Sequence, residues 1–345
     1  MEEARTANAP AITALISGGA SSLICEPIPG LDLDDYRSVV QAMLAAGWDI
    51  KLMNTVRRAI DELKGGGLGL LAAPLPVDLL VISDVVGATL HDVGSGPFVT
   101  TPTDADDAWR LLSCASDLPS VSDAILEALN CRPRGDSSPA PRRAAVVLSN
   151  HDAVAAASAA LTADGLSVVS ERADCAFVAD TVAWSALRAV EVLEPGEAIV
   201  WGGEWSTPGV TGAIGGVGGR CQYIGATLDG SFSRHTRHDC MLVFATDGTD
   251  GIAPPGKPTP AGAFIYAGMS VTPASDPPIE GAGDWYDDAR NDEEDRSALY
   301  YWEQVNSYHV IAHRDRHRSE GEPPSHIFTG PTGTNVNDLL VAWRR

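Results

Sequence analysis

The sequence predicts an α/β protein built as two α/β/α domains on mostly parallel, Rossmann-like sheets. Three observations carry that prediction. Five short apolar runs, AITALIS, VDLLVISD, RRAAVVLSN, EAIVWGGE and CMLVFATDG, are rich in β-branched residues and read as buried strands. Segments with helical periodicity separate them. Each run ends in small or acidic residues, where ligands gather in open sheets of this kind. At 345 residues the chain can hold two domains of ordinary size. We place their boundary near residue 195, giving segments 1–194 and 195–345.

The first strand, ending at Ser17, runs into GGASS, and glycines followed by hydroxyls at a strand-to-helix turn suit a phosphate cradle or a plain tight turn. Gly18, Gly19 and Ser21 are the candidates there. The stretch LDLDDYRSVVQAMLAAGWDI reads as a helix capped by Asp32 or Asp34 and ended by Gly47. The next segment, NTVRRAIDELKGGGLG, places Arg57, Asp61 and Lys64 on one helical face that stops at Gly65 to Gly67. VDLLVISDVVG leaves Asp84 at a strand end, where a carboxylate can hold a metal, orient a hydroxyl or cap a helix. Residues 132 to 143 read as an exposed loop or linker, followed by a strand and a helix with Asn150 as cap.

The stretch Ile199 to Gln222 is an apolar run that breaks into glycines around Glu204 and Arg220. Backbone without side chains can approach an anion closely, and an adjacent arginine can clamp it with two hydrogen bonds. CMLVFATDGTDG then ends a strand in Asp247 and Asp250, a carboxylate pair suited to magnesium or to activating a hydroxyl, with a structural turn as the alternative. The acidic run from Asp284 to Asp295 reads as solvated surface. His309, His313 and His317 recur every fourth residue and read as surface histidines, because nothing nearby completes a zinc set. FTGPTGTNVNDLLVAW closes the chain with a glycine and hydroxyl loop before an apolar run.

Composition narrows the partners. A formal charge of -22 opposes a nucleic-acid backbone everywhere outside a local basic pocket. Lysine is confined to Lys51, Lys64 and Lys257, which fits codon bias or a salt-adapted acidic surface. Six scattered cysteines fit reduced thiols in a cytoplasm, and the N-terminus lacks the apolar core of a signal peptide. No run is long enough to span a bilayer, so the sequence predicts a soluble, cytoplasmic protein without membrane partners. Two near-motifs are refused. GLGLLA at Gly67 follows a helix-like segment where a dinucleotide fingerprint needs a strand. GIAPPGKP at Gly251 has Pro258 where a P-loop needs Ser or Thr.

Taken in order, LISGGASSLICEPIPG, NTVRRAIDELKGG, VISDVVG with SGP, WGGE, GGVGGR, TDGTDG and TGPTGTNVND resemble the glycerate 2-kinases, with their N-terminal glycerate-kinase domain and C-terminal MOFRL domain. The resemblance implies a kinase that uses ATP and Mg2+ to phosphorylate the 2-hydroxyl of D-glycerate or a related small hydroxy acid, with the site in an interdomain cleft and a homodimer as the assembly. It implies catalytic roles for Arg220, Lys64 and Asp247, and metal ligation by Asp84 and Asp250. Substrate or nucleotide would be bound by Gly18, Gly19, Ser21, Asn54, Arg57, Ser95, Glu204, Gly218, Gly219, Thr332 and Asn335. The family pattern also has a Gly-Lys motif before the strand that here starts at Ala11, an arginine at the place of Gly67, an aspartate at Ala88 and an asparagine at Cys221. These departures keep open a catalytically silent paralogue that binds nucleotide or organic acid as a regulator or scaffold. A hydroxypyruvate reductase, a label the family has also carried, is the third reading.

Overall fold

The computed structural model describes residues 2–87, 89–100, 104–115, 123–132, 139–207, 217–232, 239–267, 307–308, 311–312, 315 and 324–344. His309, His313 and His317, the run from Asp284 to Asp295, and Ala88 lie outside them. The chain divides into two compact units, Met1–Val147 and Leu148–Arg345.

The first unit contains α1 (Glu2–Thr6), β1 (Ile12–Ser17), α2 (Ala20–Leu23), α3 (Leu33–Ala45), α4 (Ile50–Ala59), α5 (Gly67–Ala72), β2 (Val77–Ile82), α6 (Asp104–Cys114), α7 (Asp123–Cys131) and β3 (Arg143–Leu148). β1 and β2 pair in parallel from Ile12 against Val77 to Ser17 against Ile82, and β3 flanks β2. One face of this sheet packs through Ala14, Ile16, Leu79 and Val81 onto Ala72, Val93 and Phe98. On the strands' other positions Leu15 is 74% exposed and Val147 52% exposed, so the two-sided cover expected of a three-layer domain is present on one side among the described residues. A second core gathers Tyr36, Val39 and Met43 of α3, at i, i+3 and i+7, with Met53 and Val56 of α4, Leu112 of α6 and Ile125 of α7. Asp32 caps α3 by accepting from the Asp34 and Asp35 N–H groups, and Gly47, at φ 70°, follows its end.

The second unit contains α8 (Asn150–Ala163), β4 (Ser167–Arg172), β5 (Phe177–Val178), α9 (Ala179–Glu191), β6 (Glu197–Gly203), β7 (Trp205–Ser206), α10 (Arg220–Phe232), β8 (Asp239–Ala245), β9 (Gly262–Ala267), β10 (His326–Ile327) and β11 (Asp338–Arg344). Its main sheet has the order β10-β9-β8-β11-β6-β4. Alternate residues of each strand face opposite layers. Ile199, Trp201, Met241, Val243, Leu340 and Ala342 pack on α9 and α10, while Val200, Leu339 and Val341 pack on Val154 of α8.

Three expectations are corrected. The unit boundary lies at Val147/Leu148, not near residue 195, because β4 pairs with β6 and α8 and α9 cover the β6 sheet. The second sheet is mixed. β4 and β6 are parallel, whereas β11 runs antiparallel to both β6 and β8, and β9 antiparallel to β8. A strand buried on both faces reads as a continuous apolar run whichever way its neighbours point. The cap of α8 is Ser149, in a box with Asp152, and Asn150 is its first helical residue.

Candidate functional site

Two polar clusters form, one in each unit. In the first, parallel pairing brings the ends of β1 and β2 to the same edge, Ser17 against Ile82, so that Gly18 and Asp84 meet. A Cβ on Gly18 would lie 1.7 Å from the Asp84 carboxylate, and only glycine admits that approach. Asp84 is half-buried, and burial pushes its carboxyl above the usual range. Gly19, at φ 76°, turns the chain into α2.

Beside them, Asn54 Oδ1 accepts from Arg57 Nη1 at 3.3 Å and from Ser95 Oγ at 3.3 Å, while Arg57 Nη2 donates to the Ser21 carbonyl at 2.8 Å. Ser95 itself sits at φ 61° between Gly94 at 64° and Gly96 at 62°. A serine held in the left-handed region persists only where its surroundings over-determine it. The anchors are the Gly65 and Gly66 N–H groups, which donate to the carbonyls of Ser95 and Gly96 at 3.0 and 2.8 Å. Asn54, Arg57 and Ser95 are thus brought together, with Ser21 joining through its carbonyl.

Lys64 is placed differently. α4 ends at Ala59, so Arg57, Asp61 and Lys64 do not share a helical face. Lys64 is 3% exposed, ion-paired with the fully buried Asp61 and 2.6 Å from the Ile24 carbonyl, with its ammonium over the Tyr36 ring. That ammonium holds a fold together and is not presented to a ligand, a correction to its catalytic assignment. Asp61, unremarked as a site residue in the sequence, is the centre: it also accepts from Leu63 N–H at 2.9 Å. The departure at Gly67 has a backbone cause, since a Cβ there would lie 1.8 Å from the Glu62 carbonyl oxygen. Restoring the family residue with Gly67→Arg therefore costs about 2 kcal/mol or more. A thermal midpoint equal to that of the wild type would show instead that this loop yields freely.

The second cluster forms at one end of the main sheet. Asp338, the first residue of β11, pairs with Gly203 at the end of β6 and with Ala245 at the end of β8. Its carboxylate is fully buried and accepts from Arg220 Nε at 2.5 Å and Nη2 at 2.8 Å, a two-pronged contact, and from Trp205 N–H at 3.4 Å. Burial works to lower the Arg220 pKa, but the hydrogen bonds and charge of Asp338 outweigh it and keep the guanidinium protonated. Arg220 retains 32% side-chain exposure, and Nη1 makes no hydrogen bond among the described residues. Asp338 itself is pushed above the usual carboxylate range by burial.

Arg220 opens α10, and Asp250 supplies that helix's cap. Its carboxylate accepts from Cys221 N–H at 3.0 Å, Gln222 N–H at 2.7 Å and Gln222 Nε2 at 3.1 Å. Burial raises its pKa to about 6. With both oxygens committed to N–H donors and no exposure, Asp250 caps a helix and does not offer itself to a metal. Cys221 is buried in the α9–α10 core, with its thiol against the Asp338 carboxylate. The glycines let backbones touch: Gly218 and Ile252 bond reciprocally at 2.6 and 3.1 Å, a Cβ on Gly219 would strike Asp250, and one on Gly251 would strike the Gly218 carbonyl.

Asp247 is half-buried, with Oδ1 accepting from Thr249 N–H at 2.9 Å. Its carbonyl takes Thr332 N–H at 3.1 Å, and Thr332 Oγ1 reaches the Thr246 carbonyl at 2.6 Å. Asn335 Oδ1 accepts from Asn337 N–H at 3.0 Å. Thr332 and the Thr246–Asn337 contact therefore clasp the TDGTDG loop to the segment before β11, and Asn335 shapes the turn within that segment. Glu204 is exposed between β6 and β7. Asn150 is a further organiser, donating to the Val336 and Asp338 carbonyls at 2.8 and 3.3 Å. Among the described residues no helix is long and apolar enough to cross a membrane, and no three His, Cys, Asp or Glu side chains gather as a metal set.

Residues 2–130 match the family described as a domain of unknown function, DUF4147. The chain is 31% identical over 339 residues to a putative hydroxypyruvate reductase of Agrobacterium vitis, covering 95% of this chain and 68% of that one. It is 28% identical to the glycerate 2-kinase of Pyrococcus horikoshii over 95% of this chain and 69% of the relative. The crystal structure of glycerate kinase from Thermotoga maritima shares the fold, with a TM-score of 0.71 at 22% identity over 97% of this chain and 73% of that one. The chain belongs to the glycerate kinase family, whose members matched here carry both kinase and reductase names.

Proposed function

We propose that the chain is a kinase that transfers the terminal phosphoryl group of ATP to a hydroxyl of glycerate or a related small 2-hydroxy acid. The observation that carries this reading is Arg220, clamped by Asp338 with one guanidinium edge uncommitted at the sheet end that also bears Asp247. Phosphoryl transfer asks little covalent chemistry of a protein and much positioning and charge stabilisation. A guanidinium already fixed in place reorganises little when charge builds on the transferring group, which is where electrostatic catalysis gains most. The kinase names among the relatives support the same substrate class.

The carboxylates suit an ion held mainly by nucleotide phosphates. Mg2+ keeps several waters and takes one or two carboxylates alongside phosphate oxygens, so a three-residue protein cage is not required. Asp247, on the loop after β8, is a carboxylate of that kind, and a bound ion would neutralise phosphate charge. In the first unit the Asn54, Arg57 and Ser95 cluster supplies polar groups that would orient substrate or nucleotide.

The test is ADP release with MgATP and D-glycerate. Arg220→Ala lowers kcat/KM by about 100- to 1000-fold, the usual effect of losing one charge-stabilising donor. Arg220→Lys keeps the charge but loses the two-pronged contact with Asp338, and it recovers only part of that loss. Wild-type turnover no higher than that of Arg220→Ala, with ATP still raising the melting temperature, would replace the kinase by a binding protein. NADH oxidation with hydroxypyruvate in the absence of ATP would replace it by a reductase.

A further inference from the structure

We infer that Asp338 is the positioning residue of this site, a buried carboxylate that fixes the Arg220 guanidinium in one orientation and so decides which of its edges meets the anion. The inference rests on Arg220 being the anion-binding group. Three features carry it. Asp338 is fully buried, so water does not compete for its oxygens. Its two oxygens engage Nε and Nη2 at 2.5 and 2.8 Å, which fixes the guanidinium plane and leaves Nη1 as the edge without a partner among the described residues. Its own position is over-determined: its backbone pairs with β6 on one side and β8 on the other, Trp205 N–H donates to Oδ2, and Asn150 Nδ2 holds its carbonyl.

A carboxylate placed only to neutralise a buried arginine would not need three strands to converge on it. Here a single residue ties the ends of β6 and β8 to the first residue of α10, so the guanidinium is referenced to the middle of the sheet. Arg220 is then an arm whose outer edge is aimed by its inner one. The uncommitted Nη1, together with the solvent side of Nη2, suits one oxygen of a phosphoryl group or carboxylate.

The experiment is a double-mutant cycle on the whole chain, with kcat, KM for ATP and KM for glycerate measured for wild type, Asp338→Asn, Arg220→Ala and the double variant. Asp338→Asn should lower kcat about tenfold to hundredfold and leave KM for ATP within about threefold, because a loosened guanidinium costs transition-state contact more than binding. In the Arg220→Ala background the same change should alter kcat less than about twofold, because Asp338 acts through the arginine. An equal loss in both backgrounds, or wild-type kcat in Asp338→Asn, overturns the inference while leaving the kinase reading intact. A wild type without turnover overturns both.

A second measurement does not depend on the folding of any Asp338 variant. The Nε–H of Arg220, identified as the resonance missing from Arg220→Lys, should exchange with solvent at least tenfold more slowly than that of the exposed Arg37. Exchange at the Arg37 rate overturns the inference.

Discussion

Asp61→Ala is expected to lower the stability of the first unit by about 3–5 kcal/mol, because it leaves the Lys64 ammonium buried without its counter-charge. The Lys64 side chain is 2% exposed and that of Asp61 is not exposed, so neither water nor salt can substitute for the lost partner. The loss extends beyond the pair, since Asp61 Oδ1 also accepts from Leu63 N–H and fixes the turn that carries Lys64 toward the glycines. Replacing both partners by apolar residues, Asp61→Leu with Lys64→Met, should recover much of the deficit, as buried pairs replaced by packed hydrophobes commonly do. Urea unfolding followed by Trp48 fluorescence checks both variants, since Trp48 packs against the α3–α4 core. If both variants unfold within about 1 kcal/mol of the wild type, the pair is not what holds this unit.

Asp250 gives the second large effect. Asp250→Ala removes the acceptor for two backbone N–H groups at the start of α10 and for Gln222 Nε2, and it should destabilise the second unit by about 3 kcal/mol. Asp250→Asn separates charge from capping. Burial moves the carboxyl from an ordinary 3.8 to about 6 in the folded chain. Between those two values the folded state binds more protons than the unfolded one, so the contribution of Asp250 to stability falls as pH rises through the window and is constant above it. A carboxyl displaced that far changes stability by about 3 kcal/mol across the window. The stability of wild type relative to Asp250→Asn should therefore drop by about 2 kcal/mol from pH 4 to pH 7 in urea titrations. A difference that does not change with pH would mean that the three N–H donors fully offset the cost of burial.

The strands were the most legible part of the chain. All five apolar runs are strands, and the caps at Asp32 and Gly47 follow from local chemistry that needs no tertiary partner. Strand direction was not legible, because β8 and β11 are buried on both faces and their side chains carry no record of which way a neighbour runs. β4 was missed because SVVSER is short and largely exposed. Among the candidate residues, Asn54 and Arg57 one helical turn apart were legible as neighbours, while Gly18 and Gly219, read as glycines that approach an anion, approach Asp84 and Asp250. The residues that organise them were not legible. Asp338 acts across 118 positions of sequence and Asn150 across as many as 188, and their spacing carries no sign of the partner, whereas Asp61 and Lys64 are three apart and only their burial was hidden. One signal was present, a lone aspartate immediately before the apolar LLVAW, where a charge at the mouth of a buried strand calls for a counter-charge.

The position of β11 sets the order in which the second unit can be completed. β6 and β8 have no direct pairing with each other, and each presents a ladder edge that β11 alone fills. Before β11 is made, the α9 and α10 layers can form but the middle of the sheet is empty. Two apolar strand edges then wait for a seven-residue segment that also delivers Asp338 to Arg220. Closure of the sheet and assembly of the arginine clamp are thus one event, and until Asp338 is in place both strand edges stay open to non-native pairing.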